Sequence, residues 1–242
     1  MAELIEFKNK SGEVLRGLLD KTESDHGVIF LPGLGGTSLR TCFNPIREKI
    51  LGETNIFRFD FSGSGLSDGY FPDITIRDQT EEAKLAINEF KQAAGLKSID
   101  LVGHSLGGII ALSILSQLSE EIRRVLLLAP ALNFKAVIEN FTKLKSIQEE
   151  DGGKAFFWKN LKIEKTFFLE NHDADYQSLL DDVSTEKLLT FHGLKDESVP
   201  INSLKILKSK SNFIEVPGGD HSLDHPEIVV SYISKAVKFL KE

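Results

Sequence analysis

The segment Gly103-His104-Ser105-Leu106-Gly107-Gly108 carries the strongest chemical signal in the chain. Glycines two residues before and after a serine suit a sharp strand-to-helix turn, where larger side chains would crowd the backbone. Such a turn lifts the serine hydroxyl clear of the main chain. It also sets it at the start of a helix, whose partial positive charge suits a developing oxyanion. The implied chemistry is nucleophilic attack on an acyl carbon. Gly65-Leu66-Ser67-Asp68-Gly69 has the same spacing, but no strand directly precedes it and no apolar helix directly follows. The reading there is a loop serine, with Ser105 the nucleophile.

A serine at neutral pH needs a base, and a base needs an orienting acid. Six histidines compete. His104 adjoins the serine, and strand alternation turns it away. His26 lies before the third strand, His192 ends a strand, and His172 falls in an irregular stretch. His221 and His225 follow the last strand, in Pro217-Gly218-Gly219-Asp220-His221-Ser222-Leu223-Asp224-His225-Pro226. His221, on a glycine loop, is the favoured base; His225 precedes a proline suited to opening a helix. Asp196, just past the Leu188 to His192 strand, is the favoured acid, with Glu197 as the alternative. An oxyanion would draw on the backbone N–H of Leu106. Its second donor would be that of Leu34, in the glycine-rich loop Leu31-Pro32-Gly33-Leu34-Gly35-Gly36. That loop lacks the Lys-Ser/Thr of a phosphate loop.

These residues need elements to position them. Short apolar runs alternate with helical patterns, which predicts a mainly parallel sheet flanked by helices. Strands are expected at about Leu4 to Lys8, Val14 to Leu19, Val28 to Leu31, Asn55 to Phe61, Ile99 to Val102, Val125 to Ala129, Leu188 to His192 and Asn212 to Val216. Helices are expected at Asn44 to Leu51, Ile76 to Ala94, Leu106 to Leu118, Ile201 to Lys208 and Glu227 to Leu240. Between Leu132 and Thr185 the alternation stops and aromatics gather: Phe134, Phe141, Phe156, Phe157, Trp158, Phe167 and Phe168. Residues 132–185 read as a cap inserted into a core of 1–131 and 186–242. The cap aromatics either line an apolar pocket or pack the cap onto the core.

The chain resembles the α/β-hydrolase superfamily from end to end. The residues that carry the resemblance are Leu31 to Gly36, Arg58-Phe59-Asp60-Phe61-Ser62-Gly63-Ser64-Gly65, Gly103 to Gly108, His192-Gly193 through Asp196, and Gly219-Asp220-His221. The order serine, aspartate, histidine agrees with it. Within the superfamily the chain is similar to cinnamoyl/feruloyl esterase-like carboxylesterases. Monoacylglycerol-lipase-like and serine-peptidase-like enzymes stand close behind. Relatives often carry His-Gly where this chain has Pro32-Gly33, which leaves the backbone donor in place. The resemblance implies an eight-stranded, mostly parallel sheet with a small cap after the sixth strand. It implies a carboxylic ester hydrolase with a Ser105-His221-Asp196 triad and no cofactor. Amide hydrolysis and a non-catalytic ligand-binding homologue are the competing readings.

Composition narrows the partners. The 242 residues carry a formal charge of −7, which disfavours nucleic acid, so a small-molecule ester is the expected partner. One cysteine, Cys42, permits no intrachain disulfide. No metal-ligand spacing stands out. No apolar run reaches membrane-span length, and the N-terminal residues do not read as a signal peptide. The cytoplasm is the default compartment, and a homodimer is admissible.

Overall fold

A computed structural model describes residues 2–143, 147–150, 155–158 and 161–242, with 147–150 and 155–158 described as backbone only. The chain opens with β1 (Glu3–Lys8), β2 (Val14–Asp20) and β3 (His26–Leu31), followed by α1 (Asn44–Ile50), β4 (Asn55–Phe59) and α2 (Ile76–Ala94). Next come β5 (Ser98–His104), α3 (Leu106–Gln117) and β6 (Ile122–Leu128). The stretch after β6 holds α4 (Phe134–Lys143), β7 (Ile147–Glu150), β8 (Ala155–Trp158), β9 (Leu161–Glu164) and α5 (Lys165–Asn171). The chain closes with β10 (Leu188–Gly193), α6 (Lys205–Lys210), β11 (Asn212–Val216) and α7 (Pro226–Lys241).

Eight strands form one sheet in the order β1-β2-β4-β3-β5-β6-β10-β11. From β4 to β11 neighbours run parallel, while β1 and β2 are antiparallel to each other and β2 is antiparallel to β4. This is the α/β-hydrolase fold, with the sheet that the alternation predicts. Period-two alternation explains why the central strands are apolar throughout. In β3, Ile29 and Leu31 join one core, with α2 and α3, while Val28 and Phe30 join the other, with α1 and α7. In β6, Val125 and Leu127 divide from Leu126 and Leu128 in the same way.

Local chemistry sets several element ends. The Thr75 hydroxyl caps α2 by accepting from the Asp78 N–H, and Gly95 ends that helix at φ 66, a left-handed conformation that glycine takes without steric cost. Pro226 opens α7.

Several elements differ from their expected spans, and three show why. The strand expected over Asn55 to Phe61 ends at Phe59, because the chain then turns, with Gly63 at φ 70. The helix expected over Ile201 to Lys208 divides into a 3-10 turn at Ile201–Ser203 and α6. The strand expected from Val125 begins at Ile122, so it includes two arginines. Arg123 is accommodated by a bidentate pair with the fully buried Asp100, at 3.0 and 2.6 Å. The aromatic stretch also contains a small antiparallel sheet, β7-β8-β9, whose four-residue strands are too short to show a period.

Arg123→Leu should lower unfolding stability by about 3 kcal/mol, because it strands a buried carboxylate without its main partner. Urea denaturation of the two proteins measures this, and the double variant with Asp100→Leu should recover part of the loss.

Candidate active site

Four loops leave the carboxyl ends of the parallel strands β3, β5, β10 and β11, the edge where open α/β sheets bind ligands. They carry Leu34, Ser105, Asp196 and His221 respectively. The β5–α3 turn is the tightest. Ser105 sits at φ 55 and ψ −117, a strained setting for a residue with a side chain. Its N–H donates to Leu128 O at 3.0 Å, and its carbonyl accepts from Gly108 and Ala131. A methyl at Gly107 would lie 2.0 Å from Leu31 O, and one at Gly103 would lie 2.5 Å from Gly107 O. The glycine spacing therefore reflects backbone packed directly on backbone.

The structure brings Ser105, His221 and Asp196 into one hydrogen-bonded line. His221 Nδ1 lies 2.8 Å from Asp196 Oδ2, and His221 Nε2 lies 2.9 Å from Ser105 Oγ. A carboxylate only accepts, so Nδ1 holds the proton and Nε2 is left to accept from the serine hydroxyl. The Asp196 side chain is fully buried. Its Oδ1 accepts from the N–H groups of Ser198 and Val199 at 2.9 and 2.8 Å. The acid and base loops can approach because both are glycine at the contact: a methyl at Gly193 would lie 2.3 Å from Gly219 O. His225 stands at the start of α7, and Ser67 is a loop residue. The Ser67 hydroxyl donates to Asp60 O and accepts from Arg16 N.

Leu106 is the first residue of α3, so its N–H has no carbonyl one turn back. Among the described residues neither its amide nor that of Leu34 has an acceptor. A methyl at Gly33 would lie 2.8 Å from Ser105 Cβ, so the β3 loop presses against the serine. β9 covers this loop: a methyl at Gly35 would lie 2.2 Å from Leu161 Cδ1.

A narrow cavity of about 20 Å³ opens beside Ser105 and His221, roughly the room of one water. Its apolar wall includes Phe134, Val137, Phe141 and Phe168. Phe167 packs edge-on against Phe134 and Phe168 instead. The side chains of Phe156, Phe157 and Trp158 lie outside the described residues.

Two histidines that sequence reasoning set aside border this line. His192 is fully buried; its Nε2–H donates to Val199 O at 3.0 Å and lies 3.3 Å from Asp196 Oδ2. His104 Nε2–H donates to the backbone carbonyl of His221 at 2.9 Å. Their positions beside the motif glycines were the available signal, but the contacts join loops remote in sequence. Burial, the largest influence on both, holds their pKa values below the ordinary histidine range.

Comparison with known proteins agrees with the fold. The chain is similar to Est1E from Butyrivibrio proteoclasticus, solved with ferulic acid bound, at 21% identity and a TM-score of 0.80 over 98% of this chain and 100% of that one. A pyrrolizixenacetamide deacetylase of Xenorhabdus hominickii is 25% identical over 111 residues, 46% of this chain and 40% of its own length. A Mycoplasma pneumoniae protein whose name places it among esterases and lipases is 31% identical over 112 residues, 43% of this chain and 38% of its own length. The matches thus span about two fifths of these two relatives.

His104 and His192 predict acid sensitivity. Burial lowers the folded-state pKa of both, whereas unfolded histidine gains a proton near pH 6.5. The unfolded state then binds more protons, so stability falls as pH drops below about 6.5 towards each folded-state pKa. Denaturant unfolding at about pH 7 and pH 5 measures the loss, and His192→Gln should make it smaller.

Residues 28–169, more than half of the chain, match the family model for the alpha/beta hydrolase fold, and the chain belongs to that family.

Proposed function

We propose that this protein is a serine hydrolase that cleaves small carboxylic esters through an acyl-enzyme. The observation that carries this reading is the unbroken line from Asp196 through His221 to the Ser105 hydroxyl, with 2.8 and 2.9 Å spacings. His221 Nε2 takes the hydroxyl proton as Ser105 Oγ attacks the ester carbon. Asp196, anchored by two backbone N–H groups, holds the ring in the Nδ1–H tautomer and stabilises the imidazolium. The N–H groups of Leu34 and Leu106 receive the negative oxygen, aided by the positive end of α3. His221 then protonates the leaving alcohol. Water repeats the sequence on the acyl-enzyme and releases the acid.

Residues 132–185 act as a cap whose side chains Phe134, Val137, Phe141 and Phe168 receive the acyl group. The small cavity beside Ser105 favours short acyl chains. Amide cleavage is a second reading, favoured by the similarity to a protein named as a deacetylase.

Labelling with a fluorophosphonate, followed by peptide mass spectrometry, should place the adduct on Ser105, and Ser105→Ala should abolish both labelling and turnover. An unlabelled protein would indicate a non-catalytic member of the fold. Among p-nitrophenyl esters, acetyl and propionyl should be hydrolysed faster than octanoyl, and all faster than aminoacyl p-nitroanilides. A dominant anilide rate would overturn the ester assignment. Asp196→Asn should reduce kcat by roughly 10⁴ while leaving the fold intact, because the ring loses its tautomer control.

A further inference from the structure

We propose that His104 is a positioning residue for this reaction, a buried wedge that holds the loop of His221 at bonding distance from Ser105; this rests on the hydrolase reading of the site. His104 ends β5, directly before the serine. The strand alternation that exposes the serine at the edge turns His104 inward, where it is 1% exposed. Its ring meets Phe43 edge-on, with centroids 6.4 Å apart, and lies 4.9 Å from the ring of His221.

The ring touches two of the four loops that make the site. On one side Nε2–H donates to the His221 carbonyl at 2.9 Å. On the other, a methyl built at Gly33 would lie 3.3 Å from His104 Nδ1, so the imidazole abuts the turn that leads to Leu34. Among the described residues, this is the hydrogen bond made by His221's own backbone. Further ties of the loop fall on its neighbours: Gly219 O accepts from Lys195 N–H, Asp220 Oδ1 accepts from the Ser222 and Leu223 N–H groups, the Thr41 hydroxyl donates to Asp224, and Tyr232 donates to Leu223 O. The base therefore hangs from the residue adjacent to the nucleophile. The two reacting side chains share one rigid strand end, which sets their separation.

The tautomer follows from the partners. A carbonyl oxygen only accepts, so the proton is on Nε2 and Nδ1 is bare. Nδ1 is buried and has no hydrogen-bond partner among the described residues, so a proton there would be unpaired as well as buried. Burial acts first, and the nearby His221, Arg40 and His192 add to it, in keeping His104 neutral. Neutrality matters to the reaction. A charged His104 would set a second cation beside the imidazolium that His221 becomes during turnover, and would oppose the proton transfer. A residue present only to fill space would need neither the donor nor its suppressed charge.

The test compares His104→Phe, which keeps a ring of similar breadth and removes the donor, with His104→Gln, whose side-chain nitrogen reaches the same carbonyl. With p-nitrophenyl acetate, His104→Phe should lower kcat about a hundredfold, the scale of a misplaced catalytic group, with KM changed less than about threefold. His104→Gln should recover at least about tenfold of that loss. In proton NMR the downfield resonance of His221 Nδ1–H should be sharp in the wild type and the Gln variant, and broadened in the Phe variant. Nitrogen NMR of the wild type should find His104 as the Nε2–H tautomer, unchanged between about pH 8 and pH 6. A Phe variant with wild-type kcat and a sharp resonance would overturn the proposal, as would a Gln variant no faster than Phe. So would a wild-type His104 that carries its proton on Nδ1 or becomes charged within that pH range. If the Phe variant does not fold, the Gln variant and the wild-type spectra still decide. Retained turnover in Ser105→Ala would overturn the hydrolase reading itself, a result separate from the behaviour of His104.

Discussion

At Ser105 the backbone stands at φ 55 and ψ −117, a region that costs a residue with a Cβ on the order of 1–3 kcal/mol. The cost is borne because everything around the turn is fixed. β5 lies between β3 and β6 in the sheet, and the Ser105 amide and carbonyl are both bonded to the backbone around β6. Gly107 has no room for a side chain against Leu31 O. A relaxed φ would drive the α3 start into the β3 loop or pull the serine back from the edge. The apolar sheet thus acts as a jig that keeps one strained residue where its hydroxyl is exposed.

The same logic extends outward from that turn. The acid and base loops meet because Gly193 and Gly219 let two backbones touch. Asp196 is oriented by the N–H groups of Ser198 and Val199, and His221 hangs from His104. Each polar group placed in this dry corner has a geometric partner, as burial requires. Exceptions among the described residues are the amides of Leu34 and Leu106 and the Nδ1 atoms of His104 and His192; a bare imidazole nitrogen is tolerated better than a buried charge, and burial disfavours the charged form of both rings.

The segment between β6 and β10 has a different character. It contributes apolar side chains to the cavity wall and lays Leu161 over Gly35. The core loops supply the polar groups of the site, and this segment supplies its shape. A fold with one polar constellation can serve many substrates by changing such a segment, because acyl fit depends on volume and not on the proton path.

Local patterns in the chain determined the architecture almost fully. Two-face burial in Val28 to Leu31 and Val125 to Leu128, helical periodicity in Ile76 to Ala94, and punctuation by Gly95 and Pro226 each act over a few residues, so they are written locally. The glycine spacing around Ser105 is local too, which is why it stood out from the copy around Ser67 once its flanking strand and helix were considered. The ends of β6 and α6 were not legible: Arg123 enters a strand only because Asp100, on another strand, receives it.

The meeting of Ser105 with His221, 116 positions away, was named by elimination among histidines, but it is decided by strand order. The sheet places β5, β6, β10 and β11 side by side, and only that arrangement brings the β11 loop over the β5 turn. The contacts of His104 and His192, the pressure of Gly33 on the serine, and the size of the cavity depend on the same arrangement. Sequence encodes periods and turns along the chain; distances between its remote parts exist only once the sheet has formed.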